Sequence, residues 1–148
     1  MWAGNPRHEN DANRSMPAAA FAPLLEKQCV TLFSLQVGAT DADKAWLNQT
    51  PIRDLAPHLS DFADTAAVLG HLDLVISVDT AVAHLAGALG RPIWLLVPFV
   101  PEWRWMLARE DSPWYPTMRL FRQAAPGDWD TLMARVAAAL GSLAEPPR

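Results

Sequence analysis

The chain has a single cysteine, Cys29, which excludes an internal disulfide and any cysteine-based zinc cluster and fits a reducing cytoplasm. Because Cys29 lies in an apolar run, it is expected to be an inert core residue. Blocks of like charge are also missing. With a net charge of -4 spread over 148 residues, nothing favours wholesale binding of nucleic acid or an anionic membrane, so any anion site must be built locally. No apolar stretch reaches the roughly 20 residues that span a bilayer, since Pro98 and Pro101, or Asp79 and His84, interrupt the longest ones. Neither a basic-plus-apolar leader, nor a solenoid-period repeat, nor a low-complexity tract is visible.

What is present is a chain with 51% apolar residues, enough for one core that buries about 70% of the surface its unfolded form exposes. A single domain covering residues 1–148 is expected. Its start is odd. Met1-Trp2-Ala3-Gly4 reads as the last residues of a strand entering a glycine turn, with no strand body before it, as if cut from something longer. The tail Ala144-Glu-Pro-Pro-Arg148 reads as a helix-ending linker, because proline cannot continue a helix.

After a polar loop from Asn5, Pro17 opens a helix with Phe21, Leu24 and Leu25 on its apolar face. Cys29 to Leu35 follows as a buried strand. Asp41 caps a short helix through Leu47, Ile52 to Leu55 is a strand, and Ser60 or Asp61 caps a helix ending at Gly70. Leu74 to Val78 and Ile93 to Val97 are strands around a helix from Thr80 to Leu89, which Gly90 and Pro92 terminate. A loop from Pro98 to Pro116 leads into a strand from Met118 to Phe121. A last helix, capped near Asp128, carries Leu132, Val136, Ala139, Leu140 and Leu143 at helical spacing. Short apolar strands alternating with amphipathic helices imply a mostly parallel sheet covered on both faces, a Rossmann-like three-layer α/β/α sandwich.

The chemistry concentrates at the end of the Leu74–Val78 strand. There Asp79 and Thr80 precede a helix whose first amides lack intrahelical acceptors, and His84 lies one turn along the same face. A helix start at the carboxyl end of a parallel strand is where such sheets bind phosphorylated ligands. An equally weighted reading has Asp79 capping the helix and His84 satisfied in the core. The loop from Phe99 to Tyr115 gathers Trp103, Trp105, Trp114 and Tyr115 with Arg104 and Arg109. These groups suit sugar stacking and phosphate contact, or packing over the sheet or against another domain. Arg119 and Arg122 read as a solvated strand edge.

The run from Asp79 to Pro92 resembles the signature of the glycosyltransferase family that includes the lipopolysaccharide heptosyltransferases. It is closer still to the heptosyltransferase-like domains at the carboxyl end of bacterial tetratricopeptide-repeat proteins. The likeness extends from Trp2-Ala3-Gly4-Asn5-Pro6 through Arg14-Ser15-Met16-Pro17, Ser34-Leu35-Gln36, Asp61 to Thr65 and Trp103-Arg104-Trp105 to Leu120-Phe121-Arg122-Gln123. It implies the carboxyl-terminal half of a two-domain, GT-B transferase, the half that holds a nucleotide-sugar donor. Asp79, Thr80, Ala81, Val82 and His84 would then cradle the donor diphosphate. Arg14 would stand where the family carries a lysine toward the same group, and Gln36 would lie near the nucleoside. Trp103, Arg104 and Trp105 would face sugar, acceptor or the partner domain.

Ala81 replaces a glycine found in many of these enzymes, and the amino-terminal domain that supplies acceptor site and general base is not in the chain. The resemblance therefore implies a domain that binds donor without turning it over alone, with no metal, since no acidic pair stands beside the turn. Asp11 and Asp79 are base candidates by type only. Two rivals remain: a noncatalytic interaction module, and a receiver-type signalling domain with Asp79 as phosphoacceptor. The latter lacks the acidic pair and lysine such a site needs.

Overall fold

The computed structural model describes residues 1–144, so the linker read at Glu145 to Arg148 lies outside the described residues. Among the described residues are six α-helices and five strands. In chain order they are α1 (Asp11–Arg14), α2 (Ala22–Leu25), β1 (Phe33–Ser34), α3 (Asp41–Leu47), β2 (Arg53–Asp54), α4 (Phe62–Leu69), β3 (Val75–Val78), α5 (Ala81–Ala88), β4 (Ile93–Val97), β5 (Met118–Arg122) and α6 (Trp129–Ala144). Every ladder between them is parallel, as the α/β reading requires, although β1–β2 and β3–β4–β5 form separate sheets. Their hinge is the chain start. The Met1 nitrogen donates to the Ile76 carbonyl at 2.9 Å and the Val78 N–H donates to the Met1 carbonyl at 3.1 Å, which is one parallel rung beside β3. Met1 thus lies alongside β3 through a single rung.

Two apolar clusters cover the two faces and make the third layer. Trp2, Phe21, Leu24, Val78, Trp94, Leu96 and Phe121 pack with α6 residues Leu132, Met133, Val136 and Leu140 on one side. On the other, Leu69 of α4 and Val82, Ala83 and Ala86 of α5 pack with Val75, Ile93, Leu95, Val97, Met118 and Leu120. The alternation along β4 and β5 sends successive side chains into opposite clusters, so β4, flanked by strands on both edges, is buried throughout.

Several local expectations are corrected. The strand expected from Cys29 to Leu35 shortens to Phe33–Ser34, and Cys29 is exposed at φ 64° rather than in the core. Its run of apolar neighbours has a strand on one edge only, too little pairing to hold seven residues extended. Helix α3 is capped by Thr40, whose hydroxyl accepts from the Asp43 N–H while Asp43 reaches back, so Asp41 is the first helical residue instead. The helix expected at Pro17 begins as a 3-10 turn, Ala18–Phe21. Asp61 caps α4 and the Asp128 carboxylate accepts from the Thr131 N–H, both as read. Arg122 is no solvated edge. Its half-buried guanidinium donates to the carbonyls of Trp105, Met106 and Arg109 and pins the loop before β5.

Candidate functional site

The carboxyl ends of β1 and β3 open into a cavity of about 620 Å³. Arg14, Gln36, Asp79, Thr80, Ala81, Val82 and His84 all line it, so segments 22 or more positions apart in sequence converge there. Leu35, Val37, Leu59 and Phe62 add an apolar wall. The residues from Leu59 to Phe62 carried a helix cap in the sequence but no binding signal. Their place at the site follows only from the parallel pairing that brings the segments after β1 and β2 together.

Helix α5 begins without a side-chain cap. Thr80 occupies the N-cap in extended backbone, and its hydroxyl lies 3.0 Å from the Ser77 hydroxyl instead of folding back on the first turn. Ser77 has one hydroxyl proton and gives it to the Val78 carbonyl at 2.8 Å, so it is Thr80 that donates to Ser77. Thr80 therefore turns only lone pairs toward the cavity. The first helical amides, at Ala81 and Val82, have no intrahelical acceptor and sit at the positive end of the helix dipole. An anion here meets backbone donors first.

His84 is engaged at both ring nitrogens. Nε2 faces the Asp79 carboxylate at 3.5 Å and Nδ1 lies 3.0 Å from the Tyr115 hydroxyl, while the ring stacks on Trp105 with centroids 5.4 Å apart. A carboxylate only accepts, so the Nε2 that faces it is a protonated nitrogen, while Nδ1 and the Tyr115 hydroxyl share the second contact. Tyr115 can lie across α5 because Gly87 has no side chain: a Cβ there would stand 2.5 Å from the tyrosine ring.

Trp105 completes the cluster by donating its indole N–H to Asp79 at 2.9 Å. It is 1% exposed and belongs to the core, whereas Trp103 on the same 3-10 turn is 67% exposed with Arg104 stacked over its ring. Trp103 and Arg104 remain available to a ligand or partner, and Trp105 does not. Burial by itself would raise the Asp79 pKa. The hydrogen bonds from His84 and Trp105 and the positive charges of His84 and Arg14 outweigh it, and the pKa is lowered. A carboxylate with a depressed folded-state pKa stabilises the fold above its unfolded value and loses that contribution as pH falls through the folded one. Asp79→Asn is therefore expected to flatten the stability curve below about pH 4, which chemical denaturation at pH 6 and pH 3 measures. An unchanged acid limb would remove Asp79 from this account.

Arg14 ends α1 and lies over Gly4, where an added Cβ would come within 2.7 Å of its guanidinium. Its partner is Asp11, at 3.5 Å, and its buried Nε has no hydrogen-bond acceptor. Asp11 also accepts from the Ser15 hydroxyl, itself the acceptor for the Gly4 N–H, so its carboxylate organises the loop. Gln36 spends its side-chain oxygen on the N–H groups of Trp2 and Ala3, at 3.2 and 3.1 Å, so it shapes the floor of the cavity.

Residues 14–96 match the profile of glycosyltransferase family 9 (heptosyltransferase), a span that contains Arg14, Gln36 and the whole of the Asp79–His84 turn. The chain is also similar to protein FlbA of Caulobacter vibrioides, with 31% identity over 149 residues, covering 97% of this chain and 25% of that protein. The chain thus spans about a quarter of the length of this curated relative. No solved structure matches it. The cavity at the strand ends, its uncapped helix and the profile that runs through both belong together: the chain is a member of glycosyltransferase family 9, the heptosyltransferase family.

Proposed function

We propose that the cavity holds the nucleoside diphosphate portion of a nucleotide-sugar, and that the chain is the donor-binding domain of a glycosyltransferase. The observation that carries this reading is the convergence of the Arg14 guanidinium with the uncapped amides of Ala81 and Val82 on one cavity wall. Those donors meet a diphosphate with charge-assisted hydrogen bonds, and they would stabilise negative charge growing on it as a glycosidic bond breaks. In this reading the apolar wall of Leu35, Val37, Leu59 and Phe62 receives the nucleoside. The acceptor and a general base are supplied by other parts of a longer polypeptide, a facing Rossmann-like domain and tetratricopeptide repeats. No metal is part of this reading.

Calorimetry with uridine, guanosine and adenosine diphosphates tests it. At least one is expected to bind, and Thr80→Ala is expected to change its affinity by less than about threefold, because the Thr80 proton is already given to Ser77. Absence of heat with all three nucleotides would sink the donor-site reading. It would select the noncatalytic interaction module, which the engagement of Thr80 and His84 within the protein favours as a second reading. The receiver reading draws no support from Asp79, whose carboxylate accepts from Trp105 and faces His84.

A further inference from the structure

Helix α4 reaches the cavity with its first turn. Phe62, Thr65 and Leu69 follow one another at helical spacing on one stripe, which is buried at Thr65 and Leu69 but 60% exposed at Phe62, where it lines the cavity. Val37, on the same cavity, is 57% exposed, and neither it nor Phe62 belongs to an apolar cluster. Two large apolar side chains are thus left uncovered at a site otherwise lined by polar groups. We propose that this wall reads the base of the nucleotide and that the base is guanine, with Phe62 as its stacking face and Asp61 as its acceptor, an inference that rests on the donor-site reading.

Charge separates the two ends of the nucleotide first. The donors for a diphosphate come from Arg14 and from the first amides of α5, whereas the segment from Leu59 to Thr65 carries Asp61 and Asp64 and no lysine or arginine. Carboxylates repel a diphosphate, so phosphate and base go to different walls. The base is left to the α4 wall, where the uncovered ring of Phe62 supplies a π-face that stacks on any base and therefore gives affinity without selection. Selection falls to the polar groups beside it.

Those groups offer mostly lone pairs. As the cap of α4, Asp61 uses Oδ1 to accept from the Ala63 and Asp64 N–H groups at 2.7 and 2.9 Å, and among the described residues its Oδ2 has no hydrogen-bond partner. Thr65 gives its hydroxyl proton to the Asp61 carbonyl at 2.9 Å, so its oxygen is left as an acceptor. The Ser60 N–H goes to Asp64 and its hydroxyl stays uncommitted. Of the common bases only guanine presents two neighbouring donors, N1–H and the 2-amino group, next to an acceptor, O6. A carboxylate takes the two donors and a serine hydroxyl can give its proton to O6. Adenine has one amino group between ring acceptors, and the single N–H of uracil lies between two carbonyls that a carboxylate repels. The wall therefore favours guanine by what it accepts and disfavours uracil by what it repels.

The test is calorimetry on the whole chain with guanosine, inosine, adenosine and uridine diphosphates. Guanosine diphosphate is expected to bind roughly tenfold or more tighter than the adenosine and uridine compounds, and inosine diphosphate, which lacks only the 2-amino group, to lose about tenfold against it. Asp61→Asn keeps a carbonyl oxygen for the helix cap but puts an N–H donor in place of the free oxygen. It is expected to melt within about 2 °C of the unaltered chain and to lose the preference for guanosine. Phe62→Ala is expected to weaken every bound nucleotide by roughly tenfold, with Phe62→Trp restoring the loss. Adenosine or uridine diphosphate bound as tightly as guanosine diphosphate, or a preference that survives in Asp61→Asn, would overturn the assignment of the base. Equal affinities in Phe62→Ala would overturn the stacking face. In each of those cases a nucleotide still binds and the donor-site reading stands, whereas no heat with any nucleotide removes both.

Discussion

Trp105→Ala is expected to lower stability by about 3–5 kcal/mol, the range for truncating a fully buried large aromatic side chain. For a chain of this size that corresponds to a fall in Tm of roughly 10 °C. Two losses combine. The indole is 1% exposed and packs into the cluster beneath α5 and β4, so its removal leaves a cavity that the short 3-10 turn Trp103–Trp105 has little freedom to fill. It also takes away the hydrogen bond to Asp79 and the ring stacked on His84. Trp105→Phe separates them: the ring remains, the donor goes, and the cost falls to about 1–2 kcal/mol with a weaker acid limb from Asp79. Thermal and denaturant melts of the two variants decide it. If alanine at this position melts with the unaltered chain, the loop before β5 does not close the core and the Asp79–His84 pair is held by something else.

The distinction between Trp105 and Trp103 marks what the sequence could and could not reveal. A strand, turn and helix from Leu74 to Leu89 were legible because an unbroken apolar run of strand length met a polar turn, then helical spacing, then Gly90 and Pro92. The same punctuation placed α4, β4, β5 and α6, and Arg14, Gln36, Asp79, Thr80, Ala81, Val82 and His84 share one cavity. What failed depends on partners remote in sequence. Cys29 lay in an apolar run, but the strand it should begin has one paired edge, and the chain turns there at positive φ. Thr80 and His84 looked like donors toward a phosphate. Only the fold brings Ser77 under the first and Tyr115, 31 residues on, against the second. Side-chain protons are committed by tertiary contacts, which spacing does not encode.

Arg14→Ala is expected to weaken nucleoside diphosphate binding by roughly tenfold to a hundredfold, the equivalent of one charge-assisted contact of about 1.5–3 kcal/mol. Several of the other cavity side chains are already committed within the protein. Thr80 donates to Ser77, His84 is held between Asp79 and Tyr115, and Gln36 accepts from Trp2 and Ala3. The remaining donors include the α5 amides and the Arg14 guanidinium, whose Nε faces the Asp11 carboxylate at 3.5 Å without a close hydrogen bond. A diphosphate would offer the guanidinium charged acceptors at hydrogen-bond distance. Arg14→Lys, which keeps the charge but loses the planar fork, is expected to recover only part of the affinity. Added salt should weaken the unaltered chain more than the alanine variant, because one fewer cation is engaged. Calorimetry across a salt series measures both effects, with Tm as a check that the loop from Gly4 to Ser15 still folds. Equal affinity in the alanine variant would assign the diphosphate to the backbone of α5 alone.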